Sequence, residues 1–215
     1  MTLESASSRL TYCFVGKRVF FLDQCADRYF CLSQERSSSL SRRIDSDDEP
    51  AACWNDFPDI LALSGQGTFP SRCSAPFAAE DVASISGSFR FTLMANLVRA
   101  YCQAKRSLKR GTFEGVLDQI RTSKAARPLH TPTDAQLAEL GSALAHLRHL
   151  LPLDDRCLPI SIAVAHLMIK RGWTVSLILG VKTGPFAAHA WVQSGSTIMT
   201  CPLSEAILYQ PILVL

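Results

Sequence analysis

Cysteine and histidine can run acyl chemistry without a cofactor when one element holds the sulfur and another holds the imidazole. The sequence offers such a pair in Cys157 and His189, 32 residues apart. Asp155-Arg156-Cys157-Leu158-Pro159-Ile160-Ser161 reads as the opening of a helix. Leu158, Ile162, Ala165, Leu167, Met168 and Ile169 supply its apolar rhythm. Pro159 falls in the first turn, where a missing N–H costs nothing. Arg171-Gly172 ends the helix, and Gly172 suits a left-handed cap. At such an end, free backbone N–H groups and the helix dipole favour thiolate. Asp154 or Asp155 can cap the same helix, and a carboxylate so close pushes the thiol the other way. The balance between the two stays open. The plain alternative for Cys157 is a small buried hydrophobe.

Downstream, Trp173 to Val181 reads as a buried strand. Lys182-Thr183-Gly184-Pro185 turns the chain, and Phe186 to Gln193 returns it as a second strand. Ser194-Gly195 leads to a third, Ser196 to Thr200. His189 therefore lies in mid-strand, with the small residues Ala187, Ala188 and Ala190 leaving room to approach it. A satisfied core histidine is the alternative reading.

Cys157-Leu158, the helix ending in Arg171-Gly172, Leu177 to Gly180, and Phe186 with His189-Ala190-Trp191-Val192 together resemble a known family. It is the transglutaminase-like cysteine peptidase of lasso-peptide maturation, the B proteins of the microcin-maturation type. These remove the leader from a ribosomally made precursor. The resemblance covers roughly residues 90 to 215. It implies a papain/transglutaminase-like domain with helices packed on an antiparallel sheet, Cys157 as nucleophile and His189 as general base. No cofactor and no metal are expected. The implied partners are the precursor peptide and an ATP-dependent, asparagine-synthetase-like cyclase that closes the ring. The family also places an aspartate twelve residues after the histidine to orient the ring, and this chain has Cys201 there. From Val192 to Leu215 the sole acid is Glu205. A working dyad, another orienting group, or an impaired enzyme all remain open. Gln193, Ser204 and Glu205 are candidate substitutes, and Cys201 itself could act as a thiolate beside His189.

The chain that must position these groups has 215 residues, 47% of them apolar and 19% charged, so a packed core is expected. The first residues, Met1 to Ser8, show neither the basic nor the apolar part of a secretory signal. No apolar run reaches the roughly twenty residues that cross a bilayer. The eight cysteines form no Cys-x-x-Cys pair, which disfavours zinc and thioredoxin-type sites. They are expected as reduced thiols in cytoplasm. Residues 1–85 carry eight basic and twelve acidic side chains, a net of −4; residues 86–215 carry fourteen and seven, a net of +7. That change of sign supports two domains, 1–80 and 86–215. The Gly/Ser/Pro-rich stretch Ser64 to Ser88 would join them.

In the first domain, Val19 to Asp23 and Arg28 to Ser33 predict a β-hairpin of aromatic and branched residues. Ser37 to Ile44 predicts a short helix, and Asp45 to Glu49 an acidic break. Pro50 would open a second helix carrying Trp54, Phe57, Ile60, Leu61 and Leu63, ended by Gly65-Gln66-Gly67. Two or three strands followed by helices suggest a winged-helix-like unit, so the expected class is α+β throughout. Nucleic acid is disfavoured, because the domain is acidic and lacks a basic recognition helix. The pattern Val-x-Phe-Leu-Asp … Arg-Tyr-Phe-x-Leu-Ser resembles the precursor recognition element of peptide-maturation enzymes. That resemblance covers roughly residues 12 to 75. It implies that a leader adds as an extra strand beside Arg28 to Ser33, against the helix Ala51 to Leu63. Arg28, Tyr29, Phe30, Cys31, Leu32, Trp54, Phe57 and Leu61 are the candidate leader-binding residues. Tyr29 and Phe30 should face opposite ways, since strand neighbours do.

Phe91 to Lys109 predicts a helix with a basic far half, and Thr112 caps another that runs to about Lys124. Thr133 with Gln136 forms a capping box ahead of the stripe Leu137, Leu140, Leu144 and Leu147. His146 and His149 share that helix as surface histidines with no third ligand in view. Ile207 to Leu215 predicts a final strand. Three functions follow: a leader peptidase, an escort that binds the precursor without cutting it, or acyl transfer to an amine.

Overall fold

The computed structural model describes residues 9–46, 52–65, 68–82, 90–150 and 157–215. The acidic break at Asp45 to Glu49 falls largely outside them, as do Pro50, Gln66-Gly67, the end of the Ser64–Ser88 stretch and the Asp154/Asp155 cap.

The class is α+β. Strands β1 (Leu10–Val15), β2 (Arg18–Asp23) and β3 (Arg28–Cys31) run antiparallel, and helix α1 (Gln34–Ser46) follows. The helix expected from Pro50 is shorter: Ala52–Trp54 forms one 3-10 turn, and α2 spans Pro58–Ser64. Pro58 has no N–H to donate, so it sits in the first turn of α2 and sets that start. β4 (Ser71–Arg72) pairs parallel to β1, which closes a four-stranded sheet in the order β3-β2-β1-β4.

Period-two alternation divides β1 and β2 between two cores. Leu10, Tyr12, Val19 and Phe21 join Leu40, Trp54, Phe57 and Ile60 in an aromatic cluster under α1 and α2. Cys13, Phe20 and Leu22 face the other way and join the main core. Tyr29 and Phe30 part in the same manner, Tyr29 toward the main core and Phe30 toward the aromatic cluster.

The second half places α3 (Phe91–Arg110), α4 (Phe113–Ala125), α5 (Asp134–Leu150) and α6 (Cys157–Lys170) beside a second sheet. That sheet contains β5 (Glu80–Asp81), β6 (Ser176–Lys182), β7 (Ala187–Ser194), β8 (Thr197–Ile198) and β9 (Gln210–Val214). A one-turn helix, α7 (Leu203–Ala206), precedes β9, and the strand order is β5-β8-β7-β6-β9. The caps follow the sequence signals. Gly115 N–H donates to Thr112 Oγ1 at 3.1 Å, and Thr133 and Gln136 exchange backbone-to-side-chain bonds. Gly172 takes φ +74° while Trp173 N–H returns to Met168 O, closing a Schellman turn at the end of α6.

Several expectations change. Trp173 lies outside β6 and bridges to His130 instead. The final strand starts at Gln210, because residues 203–206 coil into α7. The described part of the linker stretch is tied down: Ser71–Arg72 pairs with β1, and Glu80–Asp81 pairs with β8. Gln193 Nε2 adds bonds to the carbonyls of Pro76 and Phe77, each at 3.0 Å. At the contact between the two sheets, Phe186 from the β6–β7 turn stacks on Phe20 at 5.8 Å and meets Tyr29 at 5.9 Å. No described helix is long and apolar enough to cross a membrane.

Candidate active site

α6 is apolar on nearly every side, since Ile160 to Ala165 are all buried. It runs through the core, with its first turn half-buried and Lys170 exposed at its far end. Cys157 opens it, half-buried, as a free thiol. One turn on, on the same helix face, Ser161 is wholly buried, and its hydroxyl donates to the carbonyl of Ala190 at 3.0 Å. Ala190 is the neighbour of His189 on β7. The same hydroxyl meets Thr200 Oγ1 at 3.2 Å, and Thr200 accepts from Val192 N–H at 2.9 Å. Arg148 donates to the Thr200 carbonyl. This buried polar junction fixes the start of α6 against the strand that carries the histidine. Such networks specify one arrangement because every member left unpaired is expensive.

His189 lies opposite Gly180 in the β6–β7 register. A Cβ at Gly180 would come within 2.8 Å of the Trp191 ring and 2.9 Å of Tyr209 Cβ, so the glycine lets both aromatic side chains close in. The imidazole sits 5.1 Å from the Tyr209 ring and 6.1 Å from the Trp191 ring. Its Nδ1 is 3.8 Å from Glu205 Oε1, and Lys182 Nζ stands over Tyr209 at 4.7 Å. Burial lowers the His189 pKa below its ordinary value, Glu205 pulls it back up, and Lys182 pushes it down. The ring is thus biased toward the neutral form that can accept a proton. Nε2 is buried and finds no hydrogen-bond partner among the described residues. Cys157 and His189 are therefore brought to one junction without being hydrogen-bonded to each other.

Cys201 is buried beside them. Burial first, then Glu205, pushes its thiol up to about 12, so it stays protonated near neutrality and does not act as a thiolate. His189, Cys201 and Glu205 present N, S and O atoms within 4.8 Å of one another, the one such group of three among the described residues. Those donor types also suit a divalent ion. Gln193, a candidate for orienting the ring, is spent on the carbonyls of Pro76, Phe77 and Gly195. Ser204 is exposed.

Among the candidate leader-binding residues, Arg28 and Cys31 are exposed on β3, and Tyr29 and Phe30 are half-buried. Arg28 pairs with Asp23 at 3.5 Å, and Phe30 stacks on Phe21 at 5.0 Å. Leu32 is buried, and Trp54 and Phe57 lie inside the aromatic cluster at 2% and 3% exposure, so none of the three offers surface to a peptide. Leu61 packs at that cluster's rim. Burial, then Asp27, then Cys157 raise the Tyr29 pKa, which sets this edge-strand tyrosine in the electrostatic neighbourhood of the cysteine. A cavity of about 550 Å³ lies elsewhere, between α3, α4 and the far half of α6. His166 lines it nine residues beyond Cys157, roughly 13 Å along the helix, so it is not the cleft at the thiol.

Sequence reading missed Ser161, Thr200, Gly180 and Tyr209. Ser161 carried one available signal, its i+4 position from Cys157.

A helix-borne thiol set against a strand-borne imidazole on an antiparallel sheet is the arrangement of a cysteine-dependent acyl-transfer fold. Residues 100–214 match the family model described as "Transglutaminase-like superfamily", and the chain belongs to that superfamily. The superfamily includes cysteine peptidase-like enzymes. No curated protein and no solved structure matches the chain.

Proposed function

We propose that this protein is a leader peptidase of the lasso-peptide B type, in which an N-terminal, winged-helix-like recognition unit presents a precursor to a Cys157–His189 peptidase. The observation that carries the reading is the Ser161–Ala190 bond, which ties the turn bearing Cys157 to the strand bearing His189. The neutral imidazole takes the Cys157 proton, and the thiolate attacks the carbonyl carbon at the leader–core junction. The oxyanion is held by free backbone N–H groups of the first turn of α6; Pro159 supplies none. The imidazolium then protonates the departing amine, the C–N bond breaks, and water hydrolyses the thioester. The freed core amine is what a partner cyclase would join to a side chain.

The leader adds along β3, the outer strand of the first sheet. Leu32 N–H donates inward to Val19 O, so by the pleat Cys31 N–H and Tyr29 N–H point outward toward an added strand. Arg28 and Cys31 flank that edge, with Tyr29, Phe30 and Leu61 beside it. A leader held there raises the local concentration of the scissile bond to something like millimolar, so the cleft need bind only weakly.

Incubating the precursor with the protein and weighing the products tests this, with the cyclase present in a parallel tube. Cleavage that disappears in Cys157→Ala supports the peptidase. Binding without cleavage supports an escort, and an amide-linked product supports acyl transfer.

A further inference from the structure

We infer that Glu205 on α7, not residue 201, is the group that positions the imidazole. The inference rests on the Cys157–His189 reading and extends it to a third residue.

Cys201 stands within reach of His189 but carries no charge and accepts hydrogen bonds weakly. Four residues on, the chain has turned through α7, and Glu205 Oε1 faces His189 Nδ1 at 3.8 Å. The turn is anchored: Leu203 N–H donates to Asp81 Oδ2 at 3.0 Å, Glu205 N–H and Ala206 N–H both donate to Pro202 O at 3.1 Å, and Ala206 is buried. At 3.8 Å the pair is longer than a hydrogen bond, and it becomes ionic only when the ring is protonated. The Glu205 side chain is 45% exposed, and catalytic bonds commonly tighten only when substrate is bound.

With Glu205 on Nδ1, the free nitrogen is Nε2, the buried atom that lacks a partner. An unpartnered buried nitrogen costs free energy until something donates to it. The Cys157 S–H is the donor the reaction supplies. The charged or titratable groups facing the ring from its surroundings are Glu205 on α7, Cys201 before it, Lys182 on β6 and Tyr209 before β9. Of these, Glu205 alone is an acid able to stabilise the imidazolium.

The test uses the full chain and the precursor-cleavage assay, with two additions. His189 is titrated by NMR, and the rate of Cys157 alkylation by iodoacetamide is followed against pH. Glu205→Gln should lower kcat roughly tenfold or more with KM little changed. It should also move the His189 midpoint and the acid limb of alkylation to lower pH, since a stabilising charge is gone. Placing an acid at position 201, Cys201→Asp in the Glu205→Gln background, should restore part of the kcat and return the midpoint upward. Wild-type cleavage by Glu205→Gln overturns the inference. A loss of cleavage with an unmoved titration also overturns it, because that is the mark of a structural role. If the wild-type protein cleaves nothing, the peptidase reading fails, while the NMR midpoint still decides whether Glu205 holds the ring.

Discussion

The two sheets expose their candidate working residues in opposite ways. In the first, β3 is a rim strand of four residues, paired on one side to β2. In the second, β7 runs eight residues between β6 and β8, and His189 is paired in register with Gly180. A rim has spare backbone donors and acceptors, so it can take in another chain. β8 reaches β7 only at Gln193 and Ser194, so the part that carries His189 is held by β6 on one side and by the Ser161 hydroxyl on the Ala190 carbonyl, which sets one side chain in place against a helix. In the proposed reading, binding falls to the first and proton transfer to the second. The first depends on backbone, which many sequences supply, and the second on a few particular side chains.

The strongest way to separate the two is Cys157→Ala. Cleavage should fall by at least about a thousandfold, to the level left by binding and oxyanion contacts alone. Leader affinity, measured by fluorescence anisotropy, should not change. A matching loss of affinity would mean that the two sheets do not divide the work. Next in size is Ser161→Ala, which strips the junction of its buried hydroxyl and leaves the Ala190 carbonyl without a donor. Denaturant unfolding should show a loss of about 1–3 kcal/mol, and alkylation of Cys157 should lose its dependence on His189. Smaller again is Cys31→Pro at the rim. It deletes an outward N–H and spares the inward ladder, so leader affinity should drop about tenfold while cleavage of a short leaderless peptide is unchanged. Equal loss for both substrates would count against strand addition at β3.

The finest effect is on pH. The His189 pKa is lowered by burial, so the folded state binds fewer protons at this ring than the unfolded chain does. Cleavage should therefore persist below the ordinary histidine value of about 6.5 before its acid limb appears. The same shift removes stability as pH falls below that value, and the penalty is absent above it. A limb at or above about 6.5 would mean that the imidazole is not shielded as the structure has it.

Much of this site was legible in the sequence because it rests on local rules. A cysteine ahead of an apolar helix, Gly172 beyond its end, and a histidine among alanines in a strand each carry their own signal. The aromatic run Val19-Phe20-Phe21-Leu22 shows a buried strand, but not that its alternate residues serve two cores. Glu205 could not be placed by spacing, because it reaches His189 only through the turn of α7, anchored by Asp81 more than a hundred residues away. The two-residue strands β4 and β5 are too short to show any period, and their composition reads as linker. Pro58 did carry a signal for the start of α2, but Pro50, eight residues earlier, carried the same one.

Phe20, Leu22 and Cys13 close against the same packed interior as Leu97 and Leu179. Heat should therefore dismantle both halves together, as a single calorimetric peak with no plateau between. Trimming the chain to residues 90–215 would strip that shared wall and leave Phe186 without its ring neighbours. The shortened protein should clump rather than dissolve, and expressing that half alone would be a poor route to testing the peptidase reading.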